Sequence, residues 1–306
     1  MKIAFFTETK QYGKVPRKFP NMRTDLAWMC ALNADHYYFN SVPEAEYDLG
    51  IAILSKKNPT LSLEHIKTKC KKVAIMQEGP HWFFQDYSLQ MQIGYYSTLL
   101  QADIIFTHNR KDQLYYKGLT NHPDVRILPS LMIEDSIGEL KTVERNGVII
   151  GGNFVSWYGG FDSFIVASTI NQPIYSPKMG RRQQGEEQLG ITQLPYLQWG
   201  EWIHKLNEFK IGVHLMRTHA AGTFALNCAY LGIPCIGYEE LDTQEICHPS
   251  LTVKVGNLLE AKKLIRKLNE DKDFYDLCSL EAKQNYKQYY HEDQFNTTWK
   301  EQFKIS

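Results

Sequence analysis

Residues 217–237 read RTHAAGTFALNCAYLGIPCIG: a polar loop, a glycine, an amphipathic helix, a Gly-x-Pro break and a buried strand. The helix spans Thr223–Leu231. Its first turn presents backbone N–H groups that no preceding residue can satisfy, at the positive end of the helix dipole. Such a start is a ready site for an anion, a diphosphate above all. Arg217 and His219 stand just before Gly222 and add positive charge. Asn227 lies one turn in from Thr223, on the same face, where its amide suits ribose hydroxyls. The plain alternative is an ordinary scaffold helix, closed by Gly232, with Pro234 opening the next strand.

Strands and helices alternate on both sides of this stretch. Lys2–Thr7, Tyr37–Phe39, Leu49–Leu54, Val73–Met76, Ile104–Thr107 and Arg126–Leu128 read as buried strands. Helices are predicted around Thr24–Asn33, Leu61–Cys70, Phe84–Leu100 and Lys111–Leu119. After the charged segment ELKTVERN (Glu139–Asn146) the pattern restarts with the strand Gly147–Gly152. Strands Pro173–Tyr175, Lys210–Leu215, Pro234–Gly237 and Leu251–Val255 follow, interleaved with helices at Phe161–Ile170, Trp199–Phe209 and Leu258–Leu268. A helical, aromatic tail runs from Tyr275 to Phe303. Short buried strands joined by helices pair in parallel. The expectation is an α/β chain of two Rossmann-like lobes, residues 1–140 and 141–306, with a cleft between them and a C-terminal helix. A length of 306 residues, 43% of them apolar, suffices for two cores.

Charge and cysteine content narrow the function classes. Net charge is zero, which argues against a dedicated non-specific nucleic-acid binder and confines such contact to a local patch. That patch is Lys10–Arg23, where Lys14, Arg17, Lys18 and Arg23 occur without an acid. It suits a phosphate-bearing acceptor such as DNA, or else is a solvated loop. The six cysteines form no CxxC and no metal spacing, so free buried thiols in a reducing compartment are expected. No run reaches the roughly 20 apolar residues of a membrane span, and the first residues lack a signal-peptide core. The reading is a cytoplasmic protein. There is no Walker A motif and no GxGxxG after the first strand.

Open parallel sheets bind ligands beyond the carboxyl ends of their strands, so residues just past each strand are the candidates. Gly151-Gly152-Asn153-Phe154, with Ser156 and Gly159-Gly160, forms one such turn, and paired glycines admit a ligand close to the backbone. Glu78 and His81 follow the strand Val73–Met76. Glu8 ends the first strand and His108 the strand at 104–107. Arg181 and Arg182 sit in the polar loop Lys178–Gln193. Leu197 precedes Trp199 and Trp202, whose spacing also fits plain core packing.

The 217–237 stretch resembles the donor-binding signature of GT-B glycosyltransferases, in which an acidic residue, seven spacers and Glu-Ala-Met-Ala precede Gly-x-Pro. Aligned on Gly232-Ile233-Pro234, His219 and Asn227 occupy the two acidic positions. Gly151-Gly152-Asn153-Phe154 resembles the Gly-Gly-Ser-Phe turn of bacteriophage DNA β-glucosyltransferases, without that family's arginines. Tyr238–Asp242 and Trp299–Phe303 resemble its late acidic run and final helix. The resemblance covers residues 147–303 and implies transfer of a sugar from a nucleotide diphosphate, a UDP-sugar first, to an acceptor hydroxyl. It implies a donor set of Gly152, Asn153, Ser156, Leu197, Arg217, His219, Gly222, Thr223 and Asn227, with Leu197 and Trp199 near the base. By strand count Glu78 falls near the catalytic Asp of the phage enzymes and suits the base of an inverting transfer. His81 is its competitor, as in retaining relatives. Lys14, Arg17, Lys18, Arg23 and His108 make up the acceptor set. Hydroxymethylated phage DNA is one acceptor implied, a surface glycan or small metabolite the others. Neither a metal nor a tightly bound cofactor is called for. A sugar-nucleotide epimerase and a non-catalytic nucleotide-sugar-binding protein remain as alternatives.

Overall fold

The computed structural model describes residues 1–10, 12–57, 59–180 and 182–304. The first sheet contains β1 (Ile3–Thr7), β2 (Gly13–Lys14), β3 (Asp35–Tyr38), β4 (Tyr47–Leu54), β5 (Cys70–Gln77), β6 (Ile104–Thr107) and β7 (Val125–Ile127). Their order is β2-β3-β1-β4-β5-β6-β7, and every pair is parallel except β2 with β3. The second sheet contains β8 (Val148–Ile150), β9 (Ile174–Ser176), β10 (Thr192–Gln193), β11 (Ile211–His214), β12 (Cys235–Tyr238) and β13 (Thr252–Val253). It is wholly parallel, in the order β10-β9-β8-β11-β12-β13.

Side chains alternate across each strand, so a strand covered on both faces must be apolar throughout. In β1, Ile3 and Phe5 face one core with Met76 and Phe106, while Ala4 and Phe6 face the other with Leu54 and Ile75. The first core is covered by α1 (Thr24–Ala31), the second by α2 (Glu64–Lys67), α3 (Leu89–Gln101) and α4 (Arg110–Thr120). In the second lobe, Val148 and Ile150 pack beneath α5 (Gly160–Ala167) and α9 (Leu258–Glu270). Ile149 packs on the other face beneath α6 (Trp199–Leu206), α7 (Thr223–Leu231) and α10 (Lys272–Tyr289), with α8 (Asp242–Cys247) alongside. Each large side chain fully buried in this way contributes roughly 1.5–3 kcal/mol.

Local chemistry moves several predicted boundaries. The helix expected from Phe84 begins only at Leu89, because Ser88 accepts the Met91 N–H and so caps it there. Residues His81–Asp86 form a 3-10 turn instead. The helix expected over Leu61–Cys70 shrinks to α2, since Cys70 already pairs with Tyr47 as the first residue of β5. The helical tail breaks at Tyr290–His291, where the His291 side chain accepts from Asp293 N–H and starts α11 (Glu292–Phe303). That last helix, assigned from sequence to the second lobe, packs Phe295 and Trp299 into the core of the first. Arg126 holds it there, donating to the Gln302 carbonyl at 2.7 Å.

Each sheet has a point where the chain switches direction of growth. From β1 the chain adds β3 on one side and then β4 on the other; from β8 it adds β9 and β10, then β11 on the other side. Crevices open at the carboxyl ends of the strands at such points. Here both crevices face the same space.

Candidate functional site

A cleft of about 480 Å³ lies between the lobes and is lined from both. The first lobe supplies Thr7 and Glu8 beyond β1, Ser55 beyond β4, Glu78 beyond β5 and His108 beyond β6, with Arg23, Thr24 and Asp25 from the start of α1. The second lobe supplies Gly151 beyond β8, His214 at the end of β11, Tyr158, and Gly222, Thr223 and Phe224 at the start of α7. A second chamber of about 330 Å³ shares Arg23, Gly151, Met179, Thr223 and Phe224 with it and adds Leu197, Trp199, Trp202 and Asn227.

The start of α7 is built for exposure of its N–H groups. Gly222 takes a left-handed conformation, φ +66°, and no side chain among the described residues caps the helix. A Cβ at Gly222 would lie 1.9 Å from the Thr243 hydroxyl, which itself donates to the Gly222 carbonyl at 2.9 Å. Three contacts from the first lobe fix the loop before it: Ser130 donates to the Ala221 carbonyl at 2.7 Å, Asn109 to the Ala220 carbonyl at 3.3 Å, and Trp82 to the Thr218 hydroxyl.

Glu78 opens onto the cleft as an exposed side chain, with its own N–H bound to the Leu54 carbonyl at 2.7 Å. The walls of the cleft nonetheless exclude enough water to raise its carboxyl above the usual glutamate range. The neighbouring Asp25 and Glu8 charges push in the same direction, and Arg23 opposes them. His81 lies elsewhere. Its Nδ1 is 2.6 Å from the buried Asp112 carboxylate, its ring stacks on Tyr115 at 4.2 Å, and it is not among the residues lining the cleft.

The remaining predicted residues divide by location. Leu197 and Asn227 line the second chamber, and Gly152 is buried behind Gly151. Asn153 opens to a separate pocket of about 240 Å³ with Ser176, Lys178 and Arg182. Ser156 starts a 3-10 turn, Ser156–Tyr158, and only its backbone is described; Arg181 lies outside the described residues. Arg217 pairs with Asp162 at 2.7 Å, and His219 stands 3.6 Å from Glu240; neither lines the cleft. Of the described residues of the basic loop, Arg23 alone reaches the cleft. Arg17 is bound by Glu292 at 2.6 Å and Asp135 at 2.5 Å, and Lys14 pairs with Asp35 at 3.2 Å. Lys18 is exposed. His108 stacks on Trp28 at 5.5 Å, and burial pushes its pKa down to about 4.

His214 escaped the sequence reading, which placed it inside a strand running to Leu215. The rule that found Glu8 and Glu78 looks one residue past a strand, whereas His214 is the last residue of β11 itself. Asp25 was hidden in the first turn of a helix. Among the described residues no three His, Cys, Asp or Glu side chains are grouped to hold a metal ion, and no helix is long and apolar enough to cross a membrane.

No protein-family model matches the sequence, and no curated protein matches it by sequence. Solved structures do match. Sucrose-phosphate synthase from Thermosynechococcus elongatus superposes over 100% of both chains with a TM-score of 0.68 at 11% identity. Anabaena HepE, in complex with UDP and glucose, covers 100% of both at 0.67 and 10%. The chain has the GT-B glycosyltransferase fold. An α-glucosyltransferase in complex with UDP and a 13-mer DNA containing an HMU base matches over 100% of this chain and 98% of its own, with a TM-score of 0.62 at 13% identity. Against TarM the match covers 83% of this chain but only 54% of that one.

Proposed function

We propose that this GT-B chain transfers a hexosyl group from a UDP-sugar to an acceptor hydroxyl. One observation carries the proposal: the uncapped start of α7 and the Glu78 carboxylate line one cleft from opposite lobes. The donor diphosphate lies against the N–H groups beginning at Thr223 and the Gly151–Gly152 turn. The uracil and ribose enter the second chamber, beside Leu197, Trp199 and Asn227. Glu78 takes the proton from the acceptor oxygen as that oxygen bonds to the sugar carbon. The carbon–oxygen bond to the diphosphate breaks, the electron pair leaves with UDP, and the helix N-terminus stabilises the departing charge. Glu78 later returns its proton to water. His81, with its Nδ1 beside Asp112 and away from the cleft, is the weaker candidate.

The acceptor half of the cleft is acidic and hydroxylic, with Glu8, Asp25 and Glu78, the hydroxyls of Thr7, Thr9, Ser55 and Thr24, and one cation, Arg23. Such walls suit a neutral polyhydroxyl acceptor over a phosphorylated one. A hydroxymethylated DNA acceptor is the second reading, favoured by the likeness to the glucosyltransferase held with UDP and DNA. Against it stand the ion pairs that occupy Arg17 and Lys14.

The test is UDP release from UDP-sugars with three acceptor panels: neutral sugars, sugar phosphates and hydroxymethylated DNA. Acceptor-dependent UDP release supports the proposal, and the responding panel names the acceptor. An isomerised sugar without UDP release establishes an epimerase instead. Tight binding without turnover establishes a binding module.

A further inference from the structure

His214 ends β11 and is 6% exposed, yet among the described residues neither of its ring nitrogens has a hydrogen-bond partner. Phe224 meets the ring edge-on at 5.2 Å, and Tyr158 stacks over it at 6.5 Å. The ring lies against the Gly151–Gly152 turn: a Cβ at Gly151 would come 2.6 Å from its Cγ, and one at Gly152 would come 3.4 Å from its Nε2. Packing alone does not call for an imidazole here, since an apolar ring would fill the space without burying two unpaired nitrogens. Buried polar groups almost always have partners, and one left without them at the wall of a cleft marks a place for a ligand atom. The uncapped start of α7 borders the same spot, so two independent sources of N–H donors converge there.

We propose that His214 is a donor-binding residue whose ring N–H donates to a phosphate oxygen of the nucleotide-sugar diphosphate. The inference rests on the UDP-sugar reading above. Burial pushes the His214 pKa down to about 4, so the ring is neutral near pH 7 and offers one donor and one acceptor nitrogen. The Tyr158 ring lies over one face of the imidazole. Its turn is closely packed: a Cβ at Gly152 would come 2.9 Å from the Tyr158 carbonyl, and one at Gly159 (φ +62°) 1.8 Å from the Leu215 carbonyl. Both nitrogens are shielded in the unliganded chain, so a phosphate oxygen reaches them only as the Tyr158 side chain shifts on donor binding.

Calorimetric titration of the full chain with UDP and with uridine tests this, in wild type, His214→Phe and His214→Gln. His214→Phe is expected to weaken UDP binding about 10- to 100-fold, the value of one hydrogen bond to a charged group. It leaves uridine binding unchanged and raises the thermal midpoint of the unliganded protein. His214→Gln keeps an N–H donor and recovers part of the UDP affinity. Unchanged UDP affinity in His214→Phe overturns the proposal, as does an equal loss for UDP and uridine. If His214→Phe does not fold, the imidazole nitrogen resonances of the wild type decide. UDP must move them and uridine must not; resonances unmoved by saturating UDP overturn the proposal. A wild type that binds neither compound overturns the UDP-sugar reading itself, which is a separate result.

Discussion

Glu78 and His214 show opposite ways in which environment sets a side chain's state. Water is partly excluded around Glu78 and two carboxylates face it, so its proton is held more tightly than in free glutamate. As a base it therefore works only above a raised pKa. The acid limb of the pH–rate profile is expected above the ordinary glutamate value, and Asp25→Asn is expected to move it down. Glu78→Gln should lower transfer by about 10²–10⁴-fold with UDP affinity unchanged, as read from initial rates beside calorimetry. Full activity in that variant removes Glu78 from the mechanism. Glu78 was legible in the sequence because it directly follows a strand. His214 was not: a lone His at the end of IGVH reads as part of a buried run, and only its missing partners mark it out.

At the level of elements, the α7 segment was the most legible part of the chain, since Gly222, the apolar periodicity and Gly-x-Pro all agree on one helix. Its start is also the most constrained. Gly222→Ala must hold φ +66° and meet the Thr243 hydroxyl, at a cost of about 1–3 kcal/mol. The expected result is a lower urea midpoint together with weaker UDP binding; an unchanged UDP affinity would detach the helix start from the donor. The fate of the last helix was not legible. WKEQF is amphipathic, but amphipathicity names a buried face without naming which core receives it. Phe295 and Trp299 enter the first lobe. Trp299→Ala is expected to cost about 3–5 kcal/mol and to loosen the first lobe, measured by hydrogen exchange in β1 and β6. Exchange that rises only in the second lobe would contradict this packing.

Across the whole molecule, alternation of strands and helices announced two lobes, but the contacts joining them depend on pairs far apart in sequence. Arg17 illustrates the difficulty. Within an acid-free loop it reads as a free cation, yet its partners Asp135 and Glu292 lie more than a hundred residues away. Arg110 likewise crosses to Asp242 at 3.1 Å and Glu245 at 2.9 Å. Burial of imidazoles makes acid stability a further property of the whole chain. His108, His214 and His248 are each pushed down to about 4 from an ordinary 6.5. The unfolded chain takes up protons that the folded chain refuses, so stability is complete above about pH 6.5 and falls as pH drops toward 4. Each histidine adds a slope of about 1.4 kcal/mol per pH unit in that window. Urea unfolding between pH 7 and 4.5 should show a shallower decline in His214→Phe than in wild type; identical slopes would contradict the burial of His214.

A pyrophosphate held inside the cleft must meet the amides at the head of α7. Hydrogen exchange with and without saturating UDP reads those amides directly. Slowed exchange at residues 223–226 and at the Gly151–Gly152 turn is the predicted result. Saturating UDP with exchange at both places unchanged would contradict it.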